Sequence, residues 1–444
     1  MAFSKIIFNG TTLMDVTQDT VAAGNLLQGE TATGADGEQV TGAYVPGGEA
    51  GQEDLTIDAG VVFIDYDGII VEEWNTADVA GKTALPNNPS HSGLTAQGWN
   101  YTLANIKTYI ANYPDAILVV GQMYITTSGA TEIDVVLSSD TLQPYLGIAP
   151  NGTVTVDWGD NSTTSTLTGT SLTSLKWANH TYTTGGEYTI KLTVASGSFN
   201  FYGTTNGYGS ILSRTNSFNY SHLYNNTIRA IRLGSSAGIG AYGVVTSYML
   251  QTISIPKTAD ISGQYAFNSN YMLRCIVVPN GTTTLGQYWS AYSYGLHFVS
   301  VPQEVTSIGT YAHVNNNFIK AYSVPQGVAT ISSYTLNGFT NAKRITFPDS
   351  VTSIASNGAN NTYSLNRLTI PSSITSLQTS CLANMRSLYK LRFEKTTPPT
   401  VSSSNVWTNL GTWCVISVPT GSLSSYTSAS NYPSSSSYTY IEEA

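Results

Sequence analysis

The stretch Leu273-Arg-Cys-Ile-Val-Val-Pro279 recurs in the second half of the chain as Leu296-His-Phe-Val-Ser-Val-Pro302 and Leu365-Asn-Arg-Leu-Thr-Ile-Pro371. The proline that closes it returns every 23 residues, at Pro256, Pro279, Pro302, Pro325, Pro348 and Pro371. A fixed period of this length is typical of a solenoid, in which each repeat covers the apolar face of its neighbour. The sequence therefore predicts a stack of turns, and stacked arrays usually present a surface to a partner.

Each repeat is expected to contribute one short strand. We predict strand triplets at 253–255, 276–278, 299–301, 322–324, 345–347, 368–370 and 391–393. The outer two residues of a triplet should face one way and the middle residue the other, as strand geometry requires. A further strand is predicted at 228–233, before the first triplet. It lies one residue out of phase with the 23-residue period and brings the number of predicted strands to eight. Proline lacks an N–H, so it should end the strand pairing once per turn.

Composition favours a β-rich protein whose exposed surfaces carry few charges. Charged residues make up 10% of the 444 residues, against about 25% in a typical soluble domain. There are 40 glycines and 29 tyrosines, and the net charge is −9. Without clustered lysine and arginine, nucleic acid is not expected as a partner. No apolar stretch approaches the ~18–20 residues of a transmembrane helix, so membrane insertion is not expected either.

The chain divides by pattern into several segments, and we predict a mainly β, multidomain protein. The segments are a small N-terminal β module at 1–45, a linker at 46–54, an α+β domain at 55–150, a β-sandwich at 151–197, an irregular segment at 198–227, the repeats at 228–395 and a C-terminal cap at 396–444. Within them, 4–8 reads as a strand, 31–42 as a hairpin turning at 35–38, and 19–27 as one or two helical turns. Helical spacing of Leu103, Ile106 and Ile110 predicts a helix over 102–112 that ends before Pro114.

The repeat pattern, an apolar strand closed by proline and followed by Val-Thr-x-Ile, resembles the BspA-like leucine-rich repeats. The Ala266-Phe267 pair and the ending Pro398-Pro399 fit the same family. The resemblance covers about 228–444 and implies a leucine-rich-repeat solenoid with a 23-residue period. Such repeats occur on bacterial surface proteins, in protists and in phage, so the resemblance is specific for fold and weak for function.

Two further segments resemble known modules. Val156-Asp-Trp-Gly-Asp160 and His180-Thr-Tyr-Thr-Thr-Gly-Gly-Glu-Tyr188 make the 151–197 sandwich look like a PKD-type domain, although Asn161 replaces the usual glycine. Residues 1–45 and the stretch from Asp65 to Asn100 resemble modules of phage tail-associated and other phage structural proteins. This resemblance implies that 1–45 is a virion-attachment module.

One motif could suggest an enzyme. Phe63-Ile-Asp-Tyr-Asp-Gly-Ile69 mimics the nucleophile motif of HAD-type phosphatases, in which two aspartates act with Mg²⁺. That machinery also needs a paired-acid loop on another strand, and none appears before the sandwich. We interpret the motif as a structural turn, and the sequence predicts no enzyme and no cofactor.

The remaining polar candidates also have structural interpretations. Asp157 and Asp160 could hold Ca²⁺ only with more converging oxygens, so hydrogen bonds to nearby backbone N–H groups are the favoured role. The five histidines show no metal spacing, and His180 is expected to pack and hydrogen-bond beside Tyr182. Cys275, Cys381 and Cys414 signal neither zinc nor a disulfide framework. Cys381 shares the small-residue column of Ala266, Ala312 and Gly358 and is expected to be a buried thiol.

Aromatic residues form the candidate partner-binding surface, which we name the tyrosine surface. Tyr265, Tyr288, Tyr311 and Tyr334 occupy one column at the 23-residue period, and Tyr271, Trp289, Tyr292 and Tyr294 crowd nearby. Flat rings with polar tips suit glycan stacking or protein contact. The alternative is a tyrosine ladder that stacks from turn to turn and only stabilises the solenoid.

These observations predict a phage virion protein, a tail fibre or baseplate-associated adhesin that contacts a host glycan or protein through its repeats. Made in the host cytoplasm, such a protein needs no signal peptide, and Met1 to Leu13 shows no cleavage-site pattern. Residues 1–45 would bind other virion proteins, and a homotrimer is plausible for a fibre. A capsid head fibre or decoration protein is one alternative. A bacterial surface adhesin of the BspA type is the other.

Overall fold

The computed structural model describes four strands within the first 53 residues and, with their side chains, residues 54–203, 211–215 and 224–443. The chain separates into two compact units, Met1–Gln52 and Glu53–Ala444. The division falls inside the segment 46–54, which the sequence predicts to be a linker.

The first unit contains two antiparallel strand pairs. Strand β1 (Lys5–Phe8) pairs with β2 (Thr11–Asp15), and β3 (Thr31–Thr33) pairs with β4 (Gln39–Thr41). The predicted strand at 4–8 and hairpin at 31–42 are therefore confirmed. The predicted turn at 35–38 and the helical segment at 19–27 lie outside the described residues.

The second unit begins with an α+β layer. Its elements are β5 (Gly60–Ile64), β6 (Ile70–Asn75), α1 (Thr76–Val79), β7 (Leu94–Trp99), α2 (Leu103–Asn112) and β8 (Ile117–Thr126). The strands form one sheet in the order β6-β5-β8-β7. The predicted helix is α2, and the Thr102 hydroxyl caps it by accepting from the Asn105 N–H at 3.1 Å.

Both faces of this sheet are buried, which explains why β5 and β8 are continuous apolar runs. Val61 and Phe63 of β5 pack under α2 with Ile106 and Tyr109. The alternate residues Val62 and Ile64 face the opposite way and join the outward-facing residues of the solenoid strands. The sheet of the α+β layer is therefore packed between helix α2 and the repeats.

A second layer follows in the region predicted as a sandwich. It contains β9 (Thr131–Leu137), β10 (Tyr145–Asp157), β11 (Ser165–Thr170), β12 (Lys176–Asn179), β13 (Gly186–Phe201) and β14 (Leu212–Ser213), with 3-10 turns at Ser139–Thr141 and Tyr224–Asn226. Strand β10 pairs antiparallel with β11, β12, β13 and β14, and β13 pairs with β9. The predicted boundary between 150 and 151 thus falls inside β10, and β9 belongs to the same sheet.

The solenoid contributes one main strand per turn. These strands are β15 (Ile228–Arg232), β17 (Thr252–Ser254), β18 (Cys275–Val277), β20 (Phe298–Ser300), β22 (Ala321–Ser323), β24 (Arg344–Thr346), β26 (Arg367–Ile370), β28 (Lys390–Phe393), β30 (Val415–Pro419) and β31 (Thr439–Glu443). Paired neighbours run parallel, and β30 and β31 continue the pairing through the predicted cap. The predicted mainly β fold with a C-terminal solenoid is confirmed.

Shorter elements complete the turns. They are β16 (Ala237–Ile239), β19 (Thr284–Leu285), β21 (Ser307–Ile308), β23 (Thr330–Ile331), β25 (Ser353–Ile354), β27 (Ser376–Leu377), β29 (Thr400–Val401), α3 (Leu423–Thr427) and a 3-10 turn at Ser404–Trp407. Several main strands begin one residue earlier than predicted. The predicted alternation holds, since Ile276 and Val278 point into the solenoid core and Val277 points outward.

The N-terminal edge of the solenoid is covered by the second layer. Strand β15 pairs with β17 on one side and antiparallel with β9 on the other. Arg232 fixes the junction, because its guanidinium donates to both carboxylate oxygens of Asp134 at 2.6 and 2.7 Å and to Glu132 at 3.1 Å. An open strand edge would template pairing with other chains, so the layer acts as a cap for the repeats.

Candidate functional site

The first tyrosine column lies at a sharp bend that recurs once per turn. Its five members adopt the left-handed backbone conformation, with φ of 54° at Tyr242, 55° at Tyr265, 53° at Tyr288, 60° at Tyr311 and 59° at Tyr334. Asn357 and Ser380 occupy the same bend in later turns. Tyrosine has no preference for this conformation, which asparagine tolerates better. Backbone geometry therefore does not explain the tyrosines, and the reason must lie in their rings.

Those rings form a continuous stack. Their centroids are 4.6–4.7 Å apart and neighbouring planes lie within 13° of parallel. This spacing matches the ~4.8 Å between neighbouring strands, so the solenoid sets it. All five side chains are half-buried. The stacked faces support the architectural alternative, and they leave the ring edges and hydroxyl groups as the parts that a partner can reach.

A second column is more exposed. Tyr248 stacks on Tyr271 at 4.5 Å, and Tyr271 meets Tyr294 at 5.2 Å with the planes tilted by 36°. Tyr271 and Tyr294 are each 39% exposed. Asn317 and Thr340 hold the same position in the next two turns. The run of neighbouring rings therefore ends at Tyr294, and the column carries a ring again at Tyr363, which is half-buried.

Apolar side chains extend this exposed area. Met272 is 45% exposed and Phe318 is 48% exposed. Tyr292 is half-buried and takes the second left-handed position of its turn, with φ of 59°, where Asn315 stands one turn later. Of the residues of the tyrosine surface, Tyr271 and Tyr294 are thus the most accessible.

Trp289 does not belong to the tyrosine surface, and its assignment there is a correction that the structure requires. Its side chain is fully buried, and its indole N–H donates to the Ile261 carbonyl at 2.6 Å. It packs edge-on against Phe267, with centroids 4.9 Å apart. The physical reason is an exchange of large and small residues between two turns. Positions 266–267 hold a small residue and then a large one, Ala266-Phe267, whereas the corresponding positions one turn later hold a large residue and then a small one, Trp289-Ser290. The large side chain thus stands one residue earlier in the turn and still fills the core.

The Asp65–Gly68 motif forms a tight hairpin turn between β5 and β6. The Asp67 carboxylate accepts from the Ile69 N–H at 3.0 Å, and Asp65 accepts from the Tyr66 N–H at 2.7 Å. Asp65 also pairs with the His91 ring at 2.6 Å. Both carboxylates are nearly inaccessible, and burial raises the pKa of Asp67 to about 7. These contacts give both aspartates structural roles, in agreement with our interpretation of the motif.

The Asp157–Asp160 turn is also held by local hydrogen bonds. Asp157 accepts from the Gly159 N–H at 2.9 Å, and Asp160 accepts from the Ser162 N–H at 3.1 Å. Asp160 additionally contacts the His180 ring at 2.7 Å, and that ring packs against Tyr182. The predicted roles of these residues are confirmed.

Neither a metal centre nor a thiol site stands out in the described part of the chain. Within residues 54–203, 211–215 and 224–443, no group of three or more His, Cys, Asp or Glu side chains could hold a metal ion. Cys275, Cys381 and Cys414 are buried free thiols, as expected for Cys381. Across these same residues, no helix is both long and apolar enough to span a bilayer.

A buried polar column inside the turns escaped the sequence analysis. Ser247, Asn270, Ser293 and Asn316 follow one another at the 23-residue period. The Asn270 carboxamide accepts from the Ser247 N–H at 2.9 Å, and that of Asn316 accepts from the Ser293 N–H at 3.1 Å. These side chains satisfy backbone groups where the loops bend. The period itself was the available signal.

Beside this column lies His313, which is also fully buried. Its ring nitrogens contact the Ser290 and Tyr322 hydroxyls at 2.9 and 3.1 Å. Burial lowers the pKa of His313 to about 3. The imidazole is therefore neutral at physiological pH and has a structural role.

The outward face of the main strands divides into two parts, which limits where a partner can bind. Over β18, β20 and β22 this strand face is covered by the α+β layer, through outward residues such as Val277 and Phe298. Asn100 accepts from the Ser300 hydroxyl at 3.0 Å and donates to the Val278 carbonyl at 3.0 Å. This part of the strand face is therefore closed to a partner, whereas the tyrosine surface is not covered by the α+β layer.

The comparisons with known proteins identify the repeats. The model of the family described as BspA type Leucine rich repeat region matches residues 196–320 and 315–409, with 6 copies. No curated protein matches the sequence.

Solved structures of leucine-rich repeat proteins show only distant similarity. A leucine rich cell surface protein from Faecalibacterium prausnitzii A2-165 is 18% identical, with 40% of this chain and 53% of that chain covered and a TM-score of 0.34. A leucine-rich repeat protein from Bacteroides ovatus is 15% identical, with 45% and 68% covered and a TM-score of 0.29. The pneumococcal vaccine antigen PcpA is 15% identical, with 47% and 65% covered and a TM-score of 0.28. The chain thus spans about half of the length of the F. prausnitzii protein.

The 23-residue period, the paired parallel strands and the match to the family model all concern the same part of the chain. Residues 196–409 match the model of the BspA-type leucine-rich repeat region, and the solenoid of parallel strands agrees with that match.

Proposed function

We propose that this protein is a surface-displayed adhesin that contacts a glycan or a protein through the tyrosine surface. The observation that carries the proposal is the exposure of Tyr271 and Tyr294 at the end of a short aromatic column. Stacking alone does not require this exposure, because Asn317 and Thr340 continue the same column without a ring. Accessible tyrosines with apolar neighbours suit partner contact.

The repeats support a bacterial surface adhesin better than a phage virion protein. BspA-like repeats occur on bacterial surface proteins, and the family match concerns the repeats alone. The phage form remains a second proposal, carried by the resemblance of residues 1–45 and of the segment around Asp65 to phage structural modules. In that form, residues 1–45 would attach the chain to other virion proteins, at the tail or on the capsid, and the assembly could be a homotrimer.

Binding is tested with the full chain on an array of neutral glycans and on immobilised mucin from which sialic acid has been removed. The informative variant is Tyr271→Asn/Tyr294→Asn, because Asn317 is the native residue in this column. Trp413→Ser is a matched control, since Trp413 is 89% exposed but lies in the C-terminal turns. We expect the double variant to lose binding with little change in melting temperature and the control to keep it. If the double variant binds like the wild type, the tyrosine surface is not the adhesive site.

Whether the protein is displayed on a bacterium or on a phage particle is tested by immunogold labelling with an antibody against the repeats. Label on the bacterial envelope supports the bacterial adhesin. Label at the tail tip or over the capsid of purified particles supports the phage form and places it. Absence of label from both would contradict surface display.

A further inference from the structure

The strand face changes character at β24. The first outward position of each strand is Cys275, Phe298 and Ala321 under the α+β layer, and then Arg344, Arg367 and Lys390. The chain has 18 lysines and arginines in total, so three in one column is a concentration of positive charge. The apolar part of the face is covered by the chain itself. The basic part begins where that cover ends.

A cleft lies at this boundary. It has a volume of about 120 Å³ and is formed by the end of α2 and the loop to β8, residues 112–116, and by the outward faces of β24, β26 and β28. Three arginines line it: Arg344, Arg367 and Arg392. Pockets at the junction of two structural layers are common ligand sites.

Arg344 is a buried charge without a counter-ion. The residue is 7% exposed. Its guanidinium donates to the Asp115 carbonyl at 3.2 Å and to the Asn366 side-chain oxygen at 2.6 Å, and no carboxylate of the described residues lies within 4.0 Å of it. Desolvation, followed by the nearby charge of Arg367, lowers the pKa of Arg344. Burying a charge without an opposite charge is costly, so the arrangement favours an incoming anion.

Arg367 stands one turn further on in the same column. Its guanidinium donates through Nε to the Tyr389 hydroxyl and lies 5.4 Å from the centre of that ring. This contact orients the side chain, and none of the described carboxylates lies within salt-bridge distance of it. Arg392 differs, because Glu394 pairs with it at 3.2 Å. The cleft therefore has two arginines available for one anionic group.

The carboxylates of the cleft restrict what that ligand can be. Asp115 and Asp349 are exposed residues that line it alongside the arginines. They would repel a polyanion such as an acidic peptide or a nucleic acid. They would accept hydrogen bonds from hydroxyl groups. A ligand with one carboxylate and several hydroxyls satisfies both halves of the cleft.

We propose that this cleft binds a carboxylated sugar, with its carboxylate on Arg344 and Arg367 and its hydroxyls on Asp115 and Asp349. Arginine recognises carboxylates through paired N–H donors, which a lysine does not reproduce. The sugar is a uronate or a sialate, since both present one carboxylate on a ring with free hydroxyls. The site is separate from the tyrosine surface and does not depend on it.

The test is calorimetric titration of the full chain with methyl β-D-glucuronide and with a methyl sialoside. Methyl β-D-glucoside, which lacks the carboxylate, is the ligand control. We expect one of the two acids to bind and the glucoside not to bind. The identity of the acid that binds shows whether the natural ligand is a uronate or a sialate. If neither acid binds at millimolar concentration, or if the glucoside binds equally well, the proposal is wrong.

Arg367→Gln is the informative variant, because Arg367 is exposed and its replacement should leave the fold intact. We expect at least a tenfold loss of affinity. Arg386→Gln is the matched control, since Arg386 is exposed and lies over Tyr363 instead of in the cleft. An equal loss in both variants, or tighter binding of inorganic phosphate or a polyglutamate peptide, would overturn the assignment. Tyr271→Asn/Tyr294→Asn should bind the sugar normally, which separates this test from that of the tyrosine surface.

Discussion

The ring of Tyr311 stacks on that of Tyr288 with the centroids 4.7 Å apart and the planes 3° from parallel. Both residues adopt the left-handed backbone conformation, with φ of 60° and 53°. The stack is thus formed by residues whose backbone is unfavourable for tyrosine, and ring contacts must offset that cost. This balance makes the contributions of ring and backbone separable by substitution.

We expect Tyr311→Asn to destabilise the protein less than Tyr311→Ala. Both variants lose two ring contacts, to Tyr288 and Tyr334, each worth about 0.5–1.5 kcal/mol. Asparagine tolerates the left-handed conformation, as Asn357 does in this column, whereas alanine is penalised by about 1 kcal/mol more. Urea denaturation measures the free energy of unfolding of each variant. Equal losses would mean that the backbone at this bend carries no strain.

Removing the buried indole should be the most damaging of the aromatic changes. Trp289→Ala is expected to cost about 3–5 kcal/mol, because it opens a cavity in the solenoid core and leaves the Ile261 carbonyl without its donor. Adding Ser290→Phe to this variant restores the Ala-Phe order of the preceding turn. We expect the double variant to recover part of the loss, as measured by thermal unfolding. If it is no more stable than Trp289→Ala, the exchange of positions does not explain the burial of Trp289.

The burial of Trp289 could have been predicted from the columns alone. Position 289 shares its column with Ala266, Ala312 and Cys381, and the small side chains of that column indicate a position inside the solenoid. The indole appeared surface-like only because tyrosines surround it in sequence. Column membership is set by the fold, and it therefore outweighs the character of neighbouring residues.

Local periodicity predicted the strands of the repeats because every turn repeats the same alternation, as at Ile276 and Val277. It could not predict the cap. The pairing of Ile231 with Ile133 joins strands about a hundred residues apart, and no local pattern reports such a contact. The covered strand face was partly predictable. The change from apolar Ala321 to charged Arg344 at one column position is present in the sequence, and it marks where the cover ends.

His313 should make stability depend on pH. The pKa of His313 is lowered to about 3 in the folded protein, against about 6.5 when unfolded. Between these values the unfolded chain binds the extra proton, so the free energy of unfolding falls as the pH falls below 6.5, by up to about 1.4 kcal/mol per unit. Above pH 7 this contribution is complete and constant.

The matched variant for this effect is His313→Leu, because Leu336 occupies the same position one turn later. The difference in unfolding free energy between wild type and variant should be constant above pH 7 and should change steadily between pH 6.5 and 4, in favour of the variant. The loss of the Ser290 and Tyr322 contacts adds an offset that does not vary with the protonation of the imidazole. A difference independent of pH would show that His313 is not buried in its neutral form.

The close contact between the α+β layer and the strand face requires a glycine at position 121. The requirement comes from lack of space and not from the backbone, because Gly121 is not in the left-handed conformation. A Cβ at Gly121 would lie 2.6 Å from Cγ2 of Val277 and 3.0 Å from Cβ of Ser300. Gly121→Ala should therefore destabilise the protein by about 1–3 kcal/mol through overpacking, although alanine would stiffen the unfolded chain. Adding Val277→Ala removes the closest atoms and should recover part of the loss, which a double-mutant cycle in urea measures. Coupling between Gly121 and Val277 would demonstrate that the chain covers its own strand face in solution. Additive effects would mean that this face is open, and a partner could then bind along all of the turns.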